Sequence, residues 1–133
     1  MFSMVEDERK SLLVIEDEED LLEVLSENLN LHGYDVIGVT TGQEALSKIS
    51  NQKFDCILVD LNLGARNYDG KKIIKAIKTS PQCKINEATP VILCSGNIDA
   101  EAVTSLSDDI VAAVTKPIDI FALVDKLVKV TGG

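Results

Sequence analysis

The sequence is short of several things, and each shortage closes off a class of function. It has one histidine, His32, and three cysteines, Cys56, Cys83 and Cys94. A phosphodonor histidine needs a four-helix setting that this chain's pattern does not offer, and no Cys/His nucleophile pair is evident. An odd, sparse cysteine count argues against a disulfide framework or a zinc site. Cys56 and Cys94 lie inside apolar runs and read as buried free thiols in a reducing compartment. Long hydrophobic runs are missing: the longest, 110–114 and 120–124, have five residues each, against about 20 for a membrane span. The segment 1–10 is polar and acidic, without a secretory apolar stretch. These features imply a cytoplasmic protein. Positive charge is scarce, with 13 Lys and Arg against 22 Asp and Glu and a net charge of -9. Such a surface repels nucleic acid and anionic membrane. Gly64 and Gly70 belong to no phosphate-cradling Walker loop, since no Gly-Lys-Ser/Thr follows. No repeat, low-complexity tract or linker divides the chain. We expect one domain over 11–131, a flexible segment 1–10 before it and a tail, 132–133, after it.

What is present is an alternation. Five short apolar runs, 12–15, 36–39, 56–59, 91–94 and 110–114, lack clean polar alternation, as strands covered on both faces do. Between them lie amphipathic segments at 20–31, 41–50, 70–79, 100–107 and 119–130. The first ends in His32-Gly33, a helix C-cap pattern. Thr41 with Glu44 three residues on forms a capping box, and Asp119 caps the last helix. The stretch 80–89 reads as a polar loop, and Tyr34 and Tyr68 as loop or strand-edge residues. Five βα units predict an α/β fold: a doubly wound, five-stranded parallel sheet of flavodoxin-like order 2-1-3-4-5, with helices on both faces. Five units are too few for an eightfold barrel.

In such a sheet, ligands bind beyond the carboxyl ends of the strands. Glu16-Asp17-Glu18 follows the first run, Asp60 the third, Ser95-Gly96 the fourth and Thr115-Lys116-Pro117 the fifth. Strands 1 and 3 are neighbours in the expected order, so Glu16, Asp17 and Asp60 converge. Two like charges about 4 Å apart repel by roughly 4 kcal/mol at an effective dielectric near 20. A divalent cation relieves that repulsion, and an all-oxygen ligand set suits Mg²⁺, with Mn²⁺ as a substitute, better than zinc.

From Ser11 to about Val130 the chain resembles the response-regulator receiver family of two-component signalling. Glu16-Asp17, Asp60, Ser95 and Lys116-Pro117 carry the resemblance, each at the strand end where the family has its site. The resemblance implies that Asp60 is the phosphorylated nucleophile. Asp17 binds the metal directly, Glu16 mainly through water, and the backbone carbonyl of Asn62 completes the shell. Ser95 hydrogen-bonds the phosphoryl group and switches, with Gly96 leaving it space, while Lys116 pairs with phosphate and Pro117 follows in a cis peptide. Asn62 and Asn97 stand at variable positions that position or exclude the attacking water. Implied partners are a histidine kinase or histidine phosphotransfer protein and a downstream protein target or output domain, with no direct nucleic-acid or membrane binding. The chain is then a phospho-acceptor that assists its own phosphorylation and dephosphorylation, not an enzyme in the ordinary sense.

Three departures stand against the family pattern. Glu16 is longer than the usual aspartate. The loop after Asp60 lacks the usual Met-Pro and reaches Asp69-Gly70 about two residues late, with Arg66 inside it. Ala113 replaces the aromatic whose rotation reports phosphorylation in many receivers. An alternative is therefore a pseudo-receiver, a phosphorylation-independent interaction module. An aspartate-nucleophile phosphatase would show Asp-x-Asp where this chain has Asp60-Leu61-Asn62. The acidic loop after strand 1 would repel a flavin phosphate.

Overall fold

The three central apolar runs, 12–15, 56–59 and 91–94, are covered on two sides, and the covering explains their composition. A computed structural model describes residues 9–61, 70–96 and 100–132 of the chain. Strands β1 (Ser11–Ile15), β2 (Asp35–Val39), β3 (Cys56–Asp60), β4 (Val91–Ser95) and β5 (Ala112–Thr115) alternate with helices α1 (Glu19–Leu31), α2 (Gly42–Asn51), α3 (Gly70–Thr79), α4 (Ala100–Ser105) and α5 (Ile120–Thr131). All strand pairings are parallel, and the sheet order is β2-β1-β3-β4-β5.

Successive side chains of a strand point to opposite faces, so each central strand feeds two cores. Leu13, Ile15, Ile57, Val59, Val91 and Leu93 pack with Ala45 and Ile49 of α2, with Ile73, Ile74 and Ile77 of α3, and with Leu106. Leu12, Val14, Cys56, Leu58, Ile92 and Cys94 pack with Leu29 of α1 and with Leu123 and Leu127 of α5. Helices α1 and α5 therefore share one face of the sheet.

The helix ends follow local chemistry. Thr41 Oγ1 accepts the Glu44 N–H at 3.1 Å, and Glu44 reaches back to the Thr40 N–H at 3.2 Å, one residue before the cap. The Thr40 N–H, helped by the Thr40 and Thr41 hydroxyls, holds the Glu44 carboxyl below the ordinary range. Asp119 accepts the N–H groups of Phe121 and Ala122. Past α1, Gly33 takes φ +96°, a conformation open to glycine at no steric cost. The His32 ring stays at the surface, edge-on to Phe121 with centroids 5.9 Å apart.

Three expectations need correction. The stretch 80–89 is not an open loop: Pro81–Asn86 forms a 3-10 helix locked by Asn86, which is fully buried. Asn86 donates to the carbonyls of Ile49 and Gln52 at 2.7 Å each and accepts from the Phe54 N–H and the Thr89 hydroxyl. Tyr34 is a core residue beneath α1 and α5, where burial raises its hydroxyl pKa. Strand β5 begins at Ala112 because pairing starts opposite Ile92, while Ile110 packs on the core from the preceding turn. Tyr68 lies outside the described residues.

Candidate functional site

The carboxyl ends of β1, β3, β4 and β5 set the site, and the register fixes which residues meet. Ile15 pairs with Val59, Asp60 with Cys94, and Ser95 with Thr115. The first residues beyond the strands stay tied to the sheet: the Glu16 N–H donates to Val39, the Leu61 N–H to Cys94 and the Lys116 N–H to Ser95. Glu16 and Asp60 are each only 5% exposed, and Ser95 is fully buried. Burying such groups is costly unless they are paired.

Lys116 supplies the pairing. Its Nζ lies 2.5 Å from Glu16 Oε1 and 3.2 Å from Asp60 Oδ2, bridging residues 100 and 56 positions away in sequence. Burial lowers the Lys116 pKa, but the two carboxylates outweigh it and leave the ammonium above its ordinary value. Glu16 also accepts the Glu18 N–H at 3.1 Å, where α1 begins without a side-chain cap. The extra methylene of Glu16, compared with aspartate, carries its carboxylate to the lysine.

Glu16, Asp17 and Asp60 each offer a carboxylate oxygen, and these oxygens lie within 4.8 Å of one another. Burial and the adjacent Glu16 carboxyl raise the Asp17 pKa. Three carboxylates against one ammonium leave the cluster two charges negative, so the arrangement can take up a cation. Cys94 sits behind Asp60, and burial pushes its thiol up to about 12, which keeps it inert.

The structure brings together Glu16, Asp17, Asp60, Ser95 and Lys116. The Lys116–Pro117 peptide is cis. Gly96 stands at the exposed end of β4, where an added Cβ would meet nothing closer than Lys116 Cβ at 4.0 Å, so space alone does not demand a glycine. Asn62, Asn97 and Arg66 lie outside the described residues. Ala113 packs half-buried against the α2–α3 core.

Sequence reasoning took Gly70 only as a helix start. A Cβ there would meet the Asp60 carbonyl oxygen at 2.4 Å and Leu61 Cα at 2.8 Å, so α3 can approach the end of β3 only through a glycine. The Gly70 N–H also donates to the Leu61 carbonyl at 3.0 Å. The Asp69-Gly70 pair was the available signal.

Known proteins resemble this chain. The response regulator receiver domain family profile matches residues 12–128. The chain is similar to the alkaline phosphatase synthesis transcriptional regulatory protein PhoP of Bacillus subtilis, 39% identical over 69 residues, covering 52% of this chain and 28% of that protein. It is also similar to the transcriptional regulatory protein GlrR of Escherichia coli, 30% identical over 114 residues, covering 84% of this chain and 24% of that protein. The chain thus spans about a quarter of the length of these relatives. Among solved structures, a CheY-like receiver domain protein from Methanospirillum hungatei superposes with a TM-score of 0.81 at 25% identity, covering 93% of this chain and 94% of that one.

Proposed function

Since this chain belongs to the response regulator receiver domain family, we propose that it accepts a phosphoryl group on Asp60 from a phosphohistidine donor. The observation that supports the reading is the Glu16–Lys116–Asp60 bridge beside Asp17, which gathers three carboxylates and one ammonium at one sheet edge. An Asp60 carboxylate oxygen attacks phosphorus, and the bond from phosphorus to the donor imidazole nitrogen breaks, with the electron pair leaving on nitrogen. The product is an acyl phosphate carrying about -1.5 to -2 charges. Lys116 stabilises that charge by exchanging its Glu16 contact for a phosphoryl oxygen, and the Ser95 hydroxyl donates to another. The signal is the resulting shift of Ser95 and Lys116.

The residues fit Mg²⁺, or Mn²⁺ in its place, because the donors are all oxygens and their excess negative charge needs a counter-ion. Glu16, Asp17 and Asp60 would hold the ion, joined by the Asn62 carbonyl on the family pattern. Bound there, it would neutralise charge as phosphorus is transferred. On this reading the chain is an acceptor that assists its own phosphorylation and dephosphorylation. Its partners are a histidine kinase or histidine phosphotransfer protein and a downstream protein or output domain. Three buried free thiols support a cytoplasmic setting. Among the described residues no helix is long and apolar enough to cross a membrane.

Incubation with acetyl phosphate, with and without Mg²⁺, followed by intact mass measurement, tests the reading. A phosphoryl adduct on the wild-type chain is expected only with Mg²⁺, and none on Asp60→Asn. A folded wild-type chain that binds Mg²⁺ yet takes no phosphoryl group from any donor would instead be a pseudo-receiver.

A further inference from the structure

Positive charge is scarce in this chain, yet much of it is gathered in one place. Helix α3 has 10 residues and carries four of the 13 basic ones, Lys71, Lys72, Lys75 and Lys78, with no Asp or Glu in the helix. Helix α1 is its opposite: it carries Glu19, Asp20, Glu23 and Glu27 and no Lys or Arg. The two helices pack on opposite faces of the sheet, α3 through Ile73, Ile74 and Ile77 and α1 through Leu29. Charge is therefore polarised across the sheet. At 100° per residue, Lys71, Lys75 and Lys78 fall in one arc of about 60°, away from the buried isoleucines. Lys75 already holds the Asp109 carboxylate at 2.6 Å, so this face binds one carboxylate of the chain itself.

The arc ends at a second lysine. Lys78 Nζ donates to the carbonyls of Thr89 at 2.7 Å and Glu87 at 3.1 Å. Lys53 Nζ donates to Thr89 Oγ1 at 3.1 Å and to the Phe54 carbonyl at 3.2 Å. Two ammonium groups thus meet over one threonine, beside the amino ends of β3 and β4 and so at the sheet edge opposite Asp60. Burial lowers the Lys78 pKa, and the Lys53 charge acts the same way against the pull of Asp109 and Glu87. Among the described residues each ammonium bonds two neutral oxygens and pairs with no carboxylate. An ammonium has three N–H donors, so each has one left for an anion.

Charge and spacing select the occupant. A nucleic acid or a membrane is an extended polyanion and would meet the whole surface, whose net charge is -9. A second copy carries that same net charge and would be repelled as well. A short acidic segment stays close to the lysines, within the roughly 8 Å over which charges act at physiological salt. The three lysines of the arc step along the helix axis by about 6 and 4.5 Å, near the roughly 6.6 Å between alternate residues of an extended chain. We infer that the α3 face, ending at the Lys53–Lys78 pair, docks an extended acidic segment of a partner protein, with Asp or Glu at alternate positions. The inference does not rest on Asp60 being the acceptor.

The probe is an end-blocked peptide of about eight residues alternating Glu and Ser, long enough to span α3, titrated into the isotope-labelled full chain. Amide shifts in 71–79, 53–54 and 87–89 are expected, saturating with peptide. Shifts centred on 19–31, or no shifts, overturn the inference. Lys71→Gln and Lys129→Gln remove the same charge from exposed positions on opposite faces of the sheet. Docking on α3 predicts binding about threefold weaker in Lys71→Gln alone, and weaker again when Lys53→Gln is added. Equal losses in Lys71→Gln and Lys129→Gln mean attraction to bulk charge and overturn the inference. Lys71 is exposed, so its variant decides the matter even if the variant at Lys53 fails to fold. A thymidine oligonucleotide of the same length is expected to bind more weakly, and tighter binding at the same residues would make nucleic acid the occupant and overturn the partner class. Inorganic phosphate bound at Lys53 and Lys78 as tightly as the peptide would reduce the face to a small-anion site, which also overturns it. Self-association that Lys71→Gln abolishes would make a second copy the occupant, with the same consequence.

Discussion

Replacing Asp17 by asparagine should make the metal-free protein more stable while removing its response to Mg²⁺. The carboxylate oxygens of Glu16, Asp17 and Asp60 lie within 4.8 Å of one another. Two unit charges at that separation repel by about 3.5 kcal/mol at an effective dielectric near 20, and by about 0.9 kcal/mol at that of water. Asp17 is only partly buried, so the lower figure is the closer guide for each of its two pairs. Its attraction to Lys116 offsets part of this, because that ammonium also feels Asp17, although its direct contacts are Glu16 and Asp60. The net expectation is a gain of about 1 kcal/mol, or roughly 3 °C in Tm for a domain of this size. Thermal melts in chelator measure it, and a second set in excess Mg²⁺ measures the linkage. Wild type should rise with Mg²⁺ by mass action on the folded state, and Asp17→Asn should rise little. A destabilised Asp17→Asn in chelator would refute the electrostatic account. An equal Mg²⁺ response in both proteins would show that Asp17 is not a ligand.

Three further expectations follow from the packing. Asn86→Ala removes four hydrogen bonds from a fully buried side chain and should cost about 2–4 kcal/mol in urea unfolding; a loss under about 1 kcal/mol would mean that the 3-10 helix is not held as described. Gly70→Ala meets backbone at 2.4 Å and should both destabilise the chain and slow phosphorylation, whereas Gly38→Ala meets only the movable end of Leu22 at 2.8 Å and should be far milder; equal unfolding midpoints for the two variants would contradict this. All three cysteines are buried, and burial pushes Cys56 and Cys94 up to about 12 and raises Cys83. A thiol reagent near neutral pH should therefore label none of them until denaturant is added, and rapid labelling of the native chain would contradict that burial.

The parts of the fold visible in the sequence were those with a single physical cause. The runs 12–15, 56–59 and 91–94 lack alternation because α1 and α5 cover one face and α2 and α3 the other, as the helical crossovers of a parallel sheet bring about. Thr41 and Asp119 were readable because a cap is a local bond between near neighbours. What escaped depended on distant partners. Asn86 bonds to residues 32 and 37 positions away, so its segment looks like any polar loop until Ile49 and Phe54 are placed beside it. Ile110 is apolar because it packs on the core from a turn, and apolarity alone extended the fifth strand too far. Tyr34 follows a glycine and looks like a loop residue, yet α5 lies over it.

The site was legible for a different reason: strand ends are the one place where a sequence position fixes a location in space. Once the order 2-1-3-4-5 is granted, Glu16, Asp60, Ser95 and Lys116 must share an edge. The order does not tell which of them touch. Lysine was read as a partner for phosphate, but in the structure Lys116 is already held by Glu16 and Asp60. That pairing follows from side-chain length, since Glu16 reaches across while its backbone stays tied to Val39. On the proposed reading, a lysine paired beforehand stands ready for the arriving charge, but it must give up the Glu16 contact to bind it. Shortening that arm is therefore a sharper probe than deleting it. Glu16→Asp should leave the acids able to hold a cation while weakening the grip on Lys116. It is expected to take up phosphoryl groups from acetyl phosphate at least as fast as wild type and to melt at a lower temperature in chelator. Slower uptake with unchanged stability would mean that the Glu16–Lys116 contact positions the lysine for the reaction and does not compete with it.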